Sequence, residues 1–416
     1  MYLKYRSDGK GQAAYEPSMM VALLLYAYSL GIRSSRQIER LCERDIAFRV
    51  IVANQIPDHT TIARFRQEHG RQLEHLFTDV LMLCAKAGLV KVGVVALDGT
   101  KIKADAALES NRTYGHIEQE VKRMLAEAQA KDAEEDSLYG REQRGDELPG
   151  ELRDRKSRVA RLKACQERLE REAAQQAARQ QEKIEQREAQ EVKSGCKMRG
   201  RKPKEPDPTP DQQARANVTD PDSRIMKTRS GYVQGYNAQA VATEEQIIIA
   251  AELTTQENDI NQLHPMVERA QENIAIVMNQ GQVIGVMLTD AGYFSEKDME
   301  GIDPQGPEHL MATQKDYKQR QAMSSAPGPR GRIPQAMTLR ERMERKLLTQ
   351  RGRTLYKKRG QIIEPVFGQI KVCRGIDRFM RRGVEACAQE WKLMCATHNL
   401  LKLWRSGRSM AVQTAA

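Results

Sequence analysis

One acidic residue stands out in the most basic part of the chain. The 46 residues from Thr338 to Gly383 contain 14 Lys and Arg against 4 Asp and Glu, a local charge of +10 in a chain whose net charge is +11. Such a window favours contact with phosphates. Glu364 lies inside it in an apolar run that predicts partial burial, and Pro365 predicts that a helix begins there. The pattern indicates a metal site acting on a phosphodiester, with a structural salt bridge to a nearby Arg as the alternative.

Two aspartates follow apolar segments elsewhere in the chain. The run from Val92 to Leu97 predicts a strand buried on both faces, with Asp98 at its end. The run that ends at Thr289 repeats the pattern, with Asp290 next. Acids at strand ends often bind metals, but Asp followed by Gly is also a common turn, so neither pattern alone assigns a ligand. The acids form one site only if these strands are neighbours and the helix of Glu364 packs across them.

The basic window also carries a spaced signature, Tyr356-x2-Arg359-x4-Glu364-x6-Lys371. It resembles the tyrosine–arginine–glutamate–lysine signature of bacterial insertion-sequence DDE transposases, although the common pattern has three residues between Arg and Glu. The runs EPVFGQIK and ATHNLLKL resemble the subgroup called IS eleven-eighty-two, related to the IS-four and IS-five transposases. The resemblance implies that the catalytic metal ligands are Asp98, Asp290 and Glu364, and that the DNA-binding residues are Tyr356, Arg359 and Lys371.

This resemblance also implies an activity. Two Mg²⁺ or Mn²⁺ ions about 3.5–4 Å apart would support in-line displacement at a phosphodiester. Water would nick the end of the element, and the freed 3′-hydroxyl would attack target DNA. The implied partners are double-stranded DNA, as terminal inverted repeats and as target, and a second copy of the chain in a homodimer on DNA. The alternatives are a catalytically inactive DNA-binding protein or repressor derived from such an enzyme, and a general nuclease of the same fold.

The N-terminal part predicts a helical DNA-binding domain. Residues 15–69 predict three short helices, the second from Arg36 to Val50, and the third with Arg64 and Arg66 facing outward. Helix, turn and basic helix is a DNA-binding pattern, and a small bundle with a solvated face is the alternative. The stretch resembles the N-terminal domain of the same transposases. In that family the pattern usually begins several tens of residues earlier, so we expect this domain to lack part of its end-recognition region.

A long helical insertion is predicted between the strand of Asp98 and the next strands. Residues 116–216, rich in Glu, Lys, Arg, Gln and Ala, predict two long helices joined near 145–150, which we interpret as a solvated spacer. The run 198–204 resembles an AT-hook, although a basic linker is the favoured interpretation. Strands at 231–241 and 246–253 predict an antiparallel meander with that of Asp98. Asn237 and the Asn258-Asp259 pair could line the site, and turn or cap roles are favoured for them.

These elements predict an α+β or α/β protein. Its catalytic core would be ribonuclease-H-like, with a mixed sheet that combines the antiparallel meander with parallel strands. The predicted domains are residues 1–88 (helical, DNA-binding), 89–114 with 220–383 (catalytic core), 115–219 (charged insertion and linker) and 384–416 (C-terminal helix and tail).

Composition limits the class of protein further. The sequence pI of about 9.2 favours a nucleic-acid partner. The longest apolar run, Met19 to Leu30, is too short to span a bilayer, and the N-terminus has no signal-peptide pattern. The seven cysteines form no C-x-x-C pair, which argues against a zinc site and for reduced thiols in the cytoplasm. We therefore expect a cytoplasmic, nucleoid-associated protein without a membrane partner.

Overall fold

The computed structural model describes Met1, Gly200 and residues 14–139, 158–197, 203–228, 230–278, 282–334 and 336–407. The chain divides into two compact units. The first contains Met1–Lys103 and Gly235–Ala416, and the second contains Ala104–Gln234.

The first unit begins with five helices and a strand. They are α1 (Pro17–Ser29), α2 (Ser35–Arg44), α3 (Ile46–Ile51), α4 (His59–Glu68), α5 (Gly70–Lys86) and β1 (Val94–Lys103). The single helix predicted from Arg36 to Val50 is wrong, because Asp45 divides it. Asp45 is extended, and its carboxylate accepts hydrogen bonds from the N–H groups of Ala47 and Phe48, which starts a new helix at Ile46.

The second unit is built on a helical hairpin. Its elements are β2 (Asn111–Thr113), α6 (Tyr114–Tyr139), α7 (Arg158–Ser194), β3 (Arg215–Asn217) and β4 (Arg224–Thr228). Strands β2 and β3 pair antiparallel, and α6 packs on α7. The two predicted long helices are confirmed, while their predicted joint near 145–150 and most of the AT-hook-like run lie outside the described residues. The unit has its own apolar core of Tyr114, Ile117, Val121, Leu162, Cys165, Leu169 and Ala216.

After this excursion the chain completes the main sheet. The remaining strands are β5 (Gly231–Thr243), β6 (Ile248–Thr254), β7 (Val286–Thr289) and β8 (Glu308–Met311). Strands β6, β5 and β1 pair antiparallel, and β1, β7 and β8 pair parallel. The predicted meander and the predicted mixture of parallel and antiparallel strands are therefore confirmed. The molecule is a mixed α+β protein, with the centres of β1 and β7 fully buried.

Helices cover this sheet. They are α8 (Leu263–Val277), α9 (Glu296–Glu300), α10 (Asp316–Ser325), α11 (Leu339–Leu348), α12 (Gln350–Gly368) and α13 (Val384–Arg405), with a π-helical turn at Gln369–Cys373. Helix α12 packs on β1 and β7, and α13 packs on α5 and β6. No helix among the described residues is both long and apolar enough to cross a membrane.

Pro365 lies inside α12 instead of at its start, so the predicted position of Glu364 at a helix mouth is wrong. A proline inside a helix removes one backbone N–H and leaves the carbonyl four residues earlier without its usual partner. That carbonyl belongs to Gln361, and it accepts a hydrogen bond from Nε2 of Gln246 at 3.3 Å. The side chain of Gln246 therefore compensates for the proline, and α12 continues past it.

Candidate active site

Two aspartates lie side by side where β7 ends. Strands β1 and β7 are parallel, with Ala96 paired to Leu288. The same register continued two residues further places Asp98 next to Asp290, the first residue after β7. Residues two apart on a strand point to the same face, so this pairing aligns the acids as it aligns the apolar residues before them. The strand register thus brings together two acids that lie far apart in the sequence.

Asp98 lies in the middle of β1, which corrects the predicted strand end. Beyond Ala96, β1 keeps pairing with β5 as far as Lys103 opposite Gly235. The apolar run stops at Leu97, but backbone pairing with β5 continues without it. Asp290 does follow the carboxyl end of β7, and its Oδ1 accepts a hydrogen bond from the N–H of Gly292 at 2.8 Å.

The electrostatics of Asp98 reflect this pairing. Burial, reinforced by the charge of Asp290, raises the pKa of Asp98 to about 7. Two groups act in the opposite direction. Oδ2 lies 2.9 Å from Nη1 of Arg359, and Oδ1 accepts a hydrogen bond from the N–H of Gly99 at 2.8 Å. A further positive charge beside Asp98 and Asp290 would therefore stabilise their ionised forms.

Helix α12 supplies two residues of the spaced signature to this place. Arg359 is buried and bound to Asp98, and the hydroxyl of Tyr356 donates to the carbonyl of Thr289 at 3.2 Å. These residues are three apart, so they share a helix face. The π-helical turn supplies a third, Lys371, whose Nζ donates to Oγ1 of Thr100 at 3.2 Å and to the carbonyl of Lys101 at 2.9 Å.

Glu364 lies apart from these contacts. It follows Arg359 by five residues, which turns it to another side of α12, and its side chain is 58% exposed rather than partly buried as predicted. Its Oε1 lies 3.9 Å from Nη2 of Arg320. Glu364 and Arg320 do share the lining of a cavity of about 500 Å³ with Tyr356 and Arg359. The structure thus brings Asp98, Asp290 and Arg359 into one cluster and places Glu364 outside it, on the lining of the cavity that Arg359 also lines.

A third aspartate, Asp259, lies beside Gly292 and close to Asp290. Oδ1 of Asp259 accepts hydrogen bonds from Nδ2 of Asn237 at 2.8 Å and from Nε2 of Gln239 at 2.7 Å. Asp259 does not cap α8, which begins at Leu263 with no side-chain cap. The favoured cap interpretation is therefore wrong for Asp259, whereas its turn role is confirmed, because its carbonyl accepts a hydrogen bond from the N–H of Gln262 at 3.1 Å. That Asn237 and the Asn258-Asp259 pair line the site stays a prediction. Two amides two residues apart on one predicted strand were the available signal, because they share a face of that strand.

The donor set suits a hard divalent cation. Carboxylate and amide oxygens are ligands of Mg²⁺ and Mn²⁺, and Oδ1 of Asn237 is buried with no hydrogen-bond partner in the described part of the chain. A cation or a water molecule bound on the side of β1 that carries Asn237 would satisfy this oxygen. Within the described ranges, no three Asp, Glu, His or Cys side chains already form a metal-binding group.

The arginines predicted to contact DNA from the N-terminal helices differ in position. Arg64 is exposed on α4. Arg66 is buried, and its Nη1 donates to the hydroxyl of Tyr28 at 3.1 Å and to the carbonyl of Arg33 at 2.7 Å. The predicted outward orientation of Arg66 is wrong, because the guanidinium joins α4 to the end of α1. Its contact with DNA stays a prediction that this burial does not favour.

Comparison with known families agrees with these observations. Residues 1–68 match a transposase domain of the DUF772 family, and residues 204–400 match a transposase DDE domain. The second match contains Asp259, Asp290 and Glu364, while Asp98 lies between the two matched stretches. No curated protein and no solved structure matches the chain. With both transposase models matched and two acids paired beneath the arginine of the signature, the chain belongs to the insertion-sequence DDE transposases.

Proposed function

We propose that Asp98, Asp290 and Glu364 are the catalytic acids of this transposase and that they hold two Mg²⁺ or Mn²⁺ ions. Divalent-metal dependence is general in DDE transposases. The observation that carries the assignment is the parallel register of β1 and β7, which sets Asp98 next to Asp290. The proposal requires the side chain of Glu364 to leave Arg320 and turn toward the two aspartates. Its exposure leaves it room to do so.

A divalent cation bound by these acids would activate a water molecule and stabilise the leaving oxygen of an in-line displacement. The chain's own residues would position the reactants. Arg359, at 2.9 Å from Asp98, would favour the carboxylate form and so oppose the rise in the pKa of Asp98 that burial and Asp290 cause. Tyr356, Arg359 and Lys371 would bind phosphate near the scissile bond. Such contacts fix the position of DNA but do not read its sequence.

Sequence reading would come from the N-terminal helices. We propose that residues 1–88 form a DNA-binding domain, in which the exposed Arg64 contacts DNA and Arg66 holds α4 in place. Residues 89–114 and 220–383 would form a ribonuclease-H-like core of the IS eleven-eighty-two type, residues 115–219 a spacer, and residues 384–416 a C-terminal helix and tail. A homodimer would assemble on paired DNA ends, in the cytoplasm at the nucleoid.

The test is strand joining by the purified protein on DNA that carries the element's own terminal inverted repeats. We expect joining with Mg²⁺ or Mn²⁺ and none with EDTA. Asp98→Asn, Asp290→Asn and Glu364→Gln should each reduce joining to the level seen without metal, while DNA binding in a gel-shift assay stays within about twofold of the wild type.

Glu385→Gln is the matched control for these variants. Glu385 is an exposed acid whose nearest salt-bridge partner, Arg71, is also exposed, so its loss should leave joining unchanged. If a variant keeps its joining activity, the acid substituted in that variant is not part of the catalytic site. If the wild type binds the repeats but neither cuts nor joins them, the protein is instead a catalytically inactive DNA-binding protein derived from a transposase. Cutting without preference for the repeats would indicate a general nuclease.

A further inference from the structure

Two carboxylate oxygens face one point next to Gly292. A Cβ atom built on Gly292 would lie 3.0 Å from Oδ1 of Asp290 and 3.2 Å from Oδ2 of Asp259. Because residue 292 is a glycine, no side chain fills this point. One carboxylate oxygen of each acid therefore lies close to the same point, which no side chain fills.

Asp259 is fixed toward this space by buried amides. Its Oδ1 accepts from Asn237 and Gln239, which are both fully buried on β5. Gln239 is held in turn, because its Oε1 accepts a hydrogen bond from the hydroxyl of Tyr293. With Oδ1 committed to two donors, the direction of Oδ2 is set. A preorganised carboxylate of this kind is typical of a ligand, since supporting hydrogen bonds orient ligand side chains.

Asn237 gives a second, independent indication of a ligand. Its Oδ1 is buried without a hydrogen-bond partner among the described residues, although its Nδ2 donates to Asp259. This oxygen and Oδ1 of Asp259 lie 2.8 and 2.5 Å from the position of a Cβ atom on Gly99. An unsatisfied buried acceptor is costly, and a bound cation or its water would satisfy it.

Asn237, Gln239 and Asp259 lie on the opposite face of β1 from Asp98. Gly99 pairs with Gln239, so the amides and Asp259 lie on the face of Gly99. Neighbouring residues on a strand alternate between faces, so Asp98 lies on the other. Asp290 follows the end of β7, where the sheet no longer separates the two sides. It therefore has one acid on each side, Asp98 and Asp259.

We propose that Asp259 is a further metal-binding acid of this transposase, and that it holds a divalent cation together with Asp290. The inference rests on the proposed metal-dependent site and extends it beyond the acids of the family signature. Asn237 and Gln239 act as positioning residues for Asp259. In this arrangement Asp290 belongs to two sites. It binds the cation beside Asp259, and it also forms part of the proposed metal site that contains Asp98.

Binding of Mn²⁺ to the full-length protein without DNA tests the inference independently of activity. The decrease of the free Mn²⁺ signal in electron paramagnetic resonance gives the number of bound ions and their affinity. We expect Asp259→Asn to weaken or remove one ion, with a loss of affinity of about tenfold or more. Gly292→Ala should do the same without removing any carboxylate, because its methyl group fills the shared space. Glu257→Gln, an exposed acid in the same loop, should bind like the wild type.

The outcomes separate this inference from the proposed function. If Asp98→Asn weakens binding while Asp259→Asn and Gly292→Ala bind as the wild type does, Asp259 is not a ligand and the proposed site stands without it. If the wild type binds no Mn²⁺ at millimolar concentration, both the inference and the metal assignment fail. Thermal unfolding in EDTA checks that each variant is folded. Should Asp259→Asn fail that check, Gly292→Ala decides the question alone.

Discussion

Arg64 and Arg66 lie two residues apart on α4 and face different surroundings. Arg64 is exposed, whereas Arg66 is bound by the hydroxyl of Tyr28, the carbonyl of Arg33 and the hydroxyl of Ser35. Sequence alone gave both the same role, because both are cations at the polar edge of one amphipathic helix. Only the neighbouring helices decide which of the two guanidinium groups is enclosed.

Alanine substitutions should separate these roles. Arg66→Ala should lower the free energy of unfolding by about 2–4 kcal/mol, because buried polar partners lose a charged donor. Arg64→Ala should change that free energy by less than about 0.5 kcal/mol. It should instead weaken DNA binding and reduce by about one unit the slope of log affinity against log salt. Chemical denaturation and binding at several salt concentrations measure these effects. A stability loss in Arg64→Ala equal to that in Arg66→Ala would contradict the assignment.

At the scale of elements, the sequence predicted the positions of the strands better than it predicted how the strands pair in the sheet. The apolar runs before Asp98 and Asp290 identified β1 and β7, since burial of a strand depends on its own residues. The register that sets the two acids side by side depends on backbone pairing between segments far apart in the sequence. Local patterns contain no such information. The same limit applies to Asp259, which lies in the loop after β6 while its partners Asn237 and Gln239 lie on β5.

A buried histidine on α13, His398, should make the free energy of unfolding depend on pH. Nε2 of His398 lies 2.9 Å from the carbonyl of Gln246, and burial lowers the pKa of His398 to about 3 from its ordinary value of 6.5. The unfolded chain therefore takes up a proton below pH 6.5, while the folded chain stays neutral at this position until about pH 3. The contribution of neutral His398 is complete above pH 6.5 and is lost as the pH falls toward 3.

We expect the stability of the wild type to fall over this range by an amount that includes a few kcal/mol from His398. His398→Gln keeps a donor for the carbonyl of Gln246 and does not titrate, so its stability should depend less on pH. Thermal unfolding between pH 7.5 and 4 measures this. His116→Gln, which changes an exposed histidine, should follow the wild type. Equal slopes for His398→Gln and the wild type would disprove the role of burial.

On the scale of the whole molecule, the second unit is inserted between two neighbouring strands. The chain leaves the first unit after Lys103, at the end of β1, and rejoins it at Gly235, inside β5, and these two residues are paired. Composition predicted a charged insertion in this region, because long runs of Glu, Lys, Gln and Ala do not form a sheet. It could not predict the small core of Tyr114, Leu162 and Leu169, since those apolar residues are widely spaced in the sequence.

The pairing of Lys103 with Gly235 predicts that residues 104–234 can be removed. An Asn-Gly turn in their place would join β1 and β5 as a two-residue hairpin. We expect the shortened chain to unfold in one cooperative transition, with Mn²⁺ binding retained, because Asp98, Asp259 and Asp290 remain in the first unit. Calorimetry and Mn²⁺ titration test this. A shortened chain that unfolds without a cooperative transition would show that the first unit needs the second to fold.

The same geometry makes the junction between Lys103 and Gly235 suitable for inserting another protein. Since the exit and entry points of the backbone are adjacent, a reporter whose own termini lie close together, such as a fluorescent protein, could be spliced there with little distortion of the strands. It would mark the molecule while leaving both chain ends untouched.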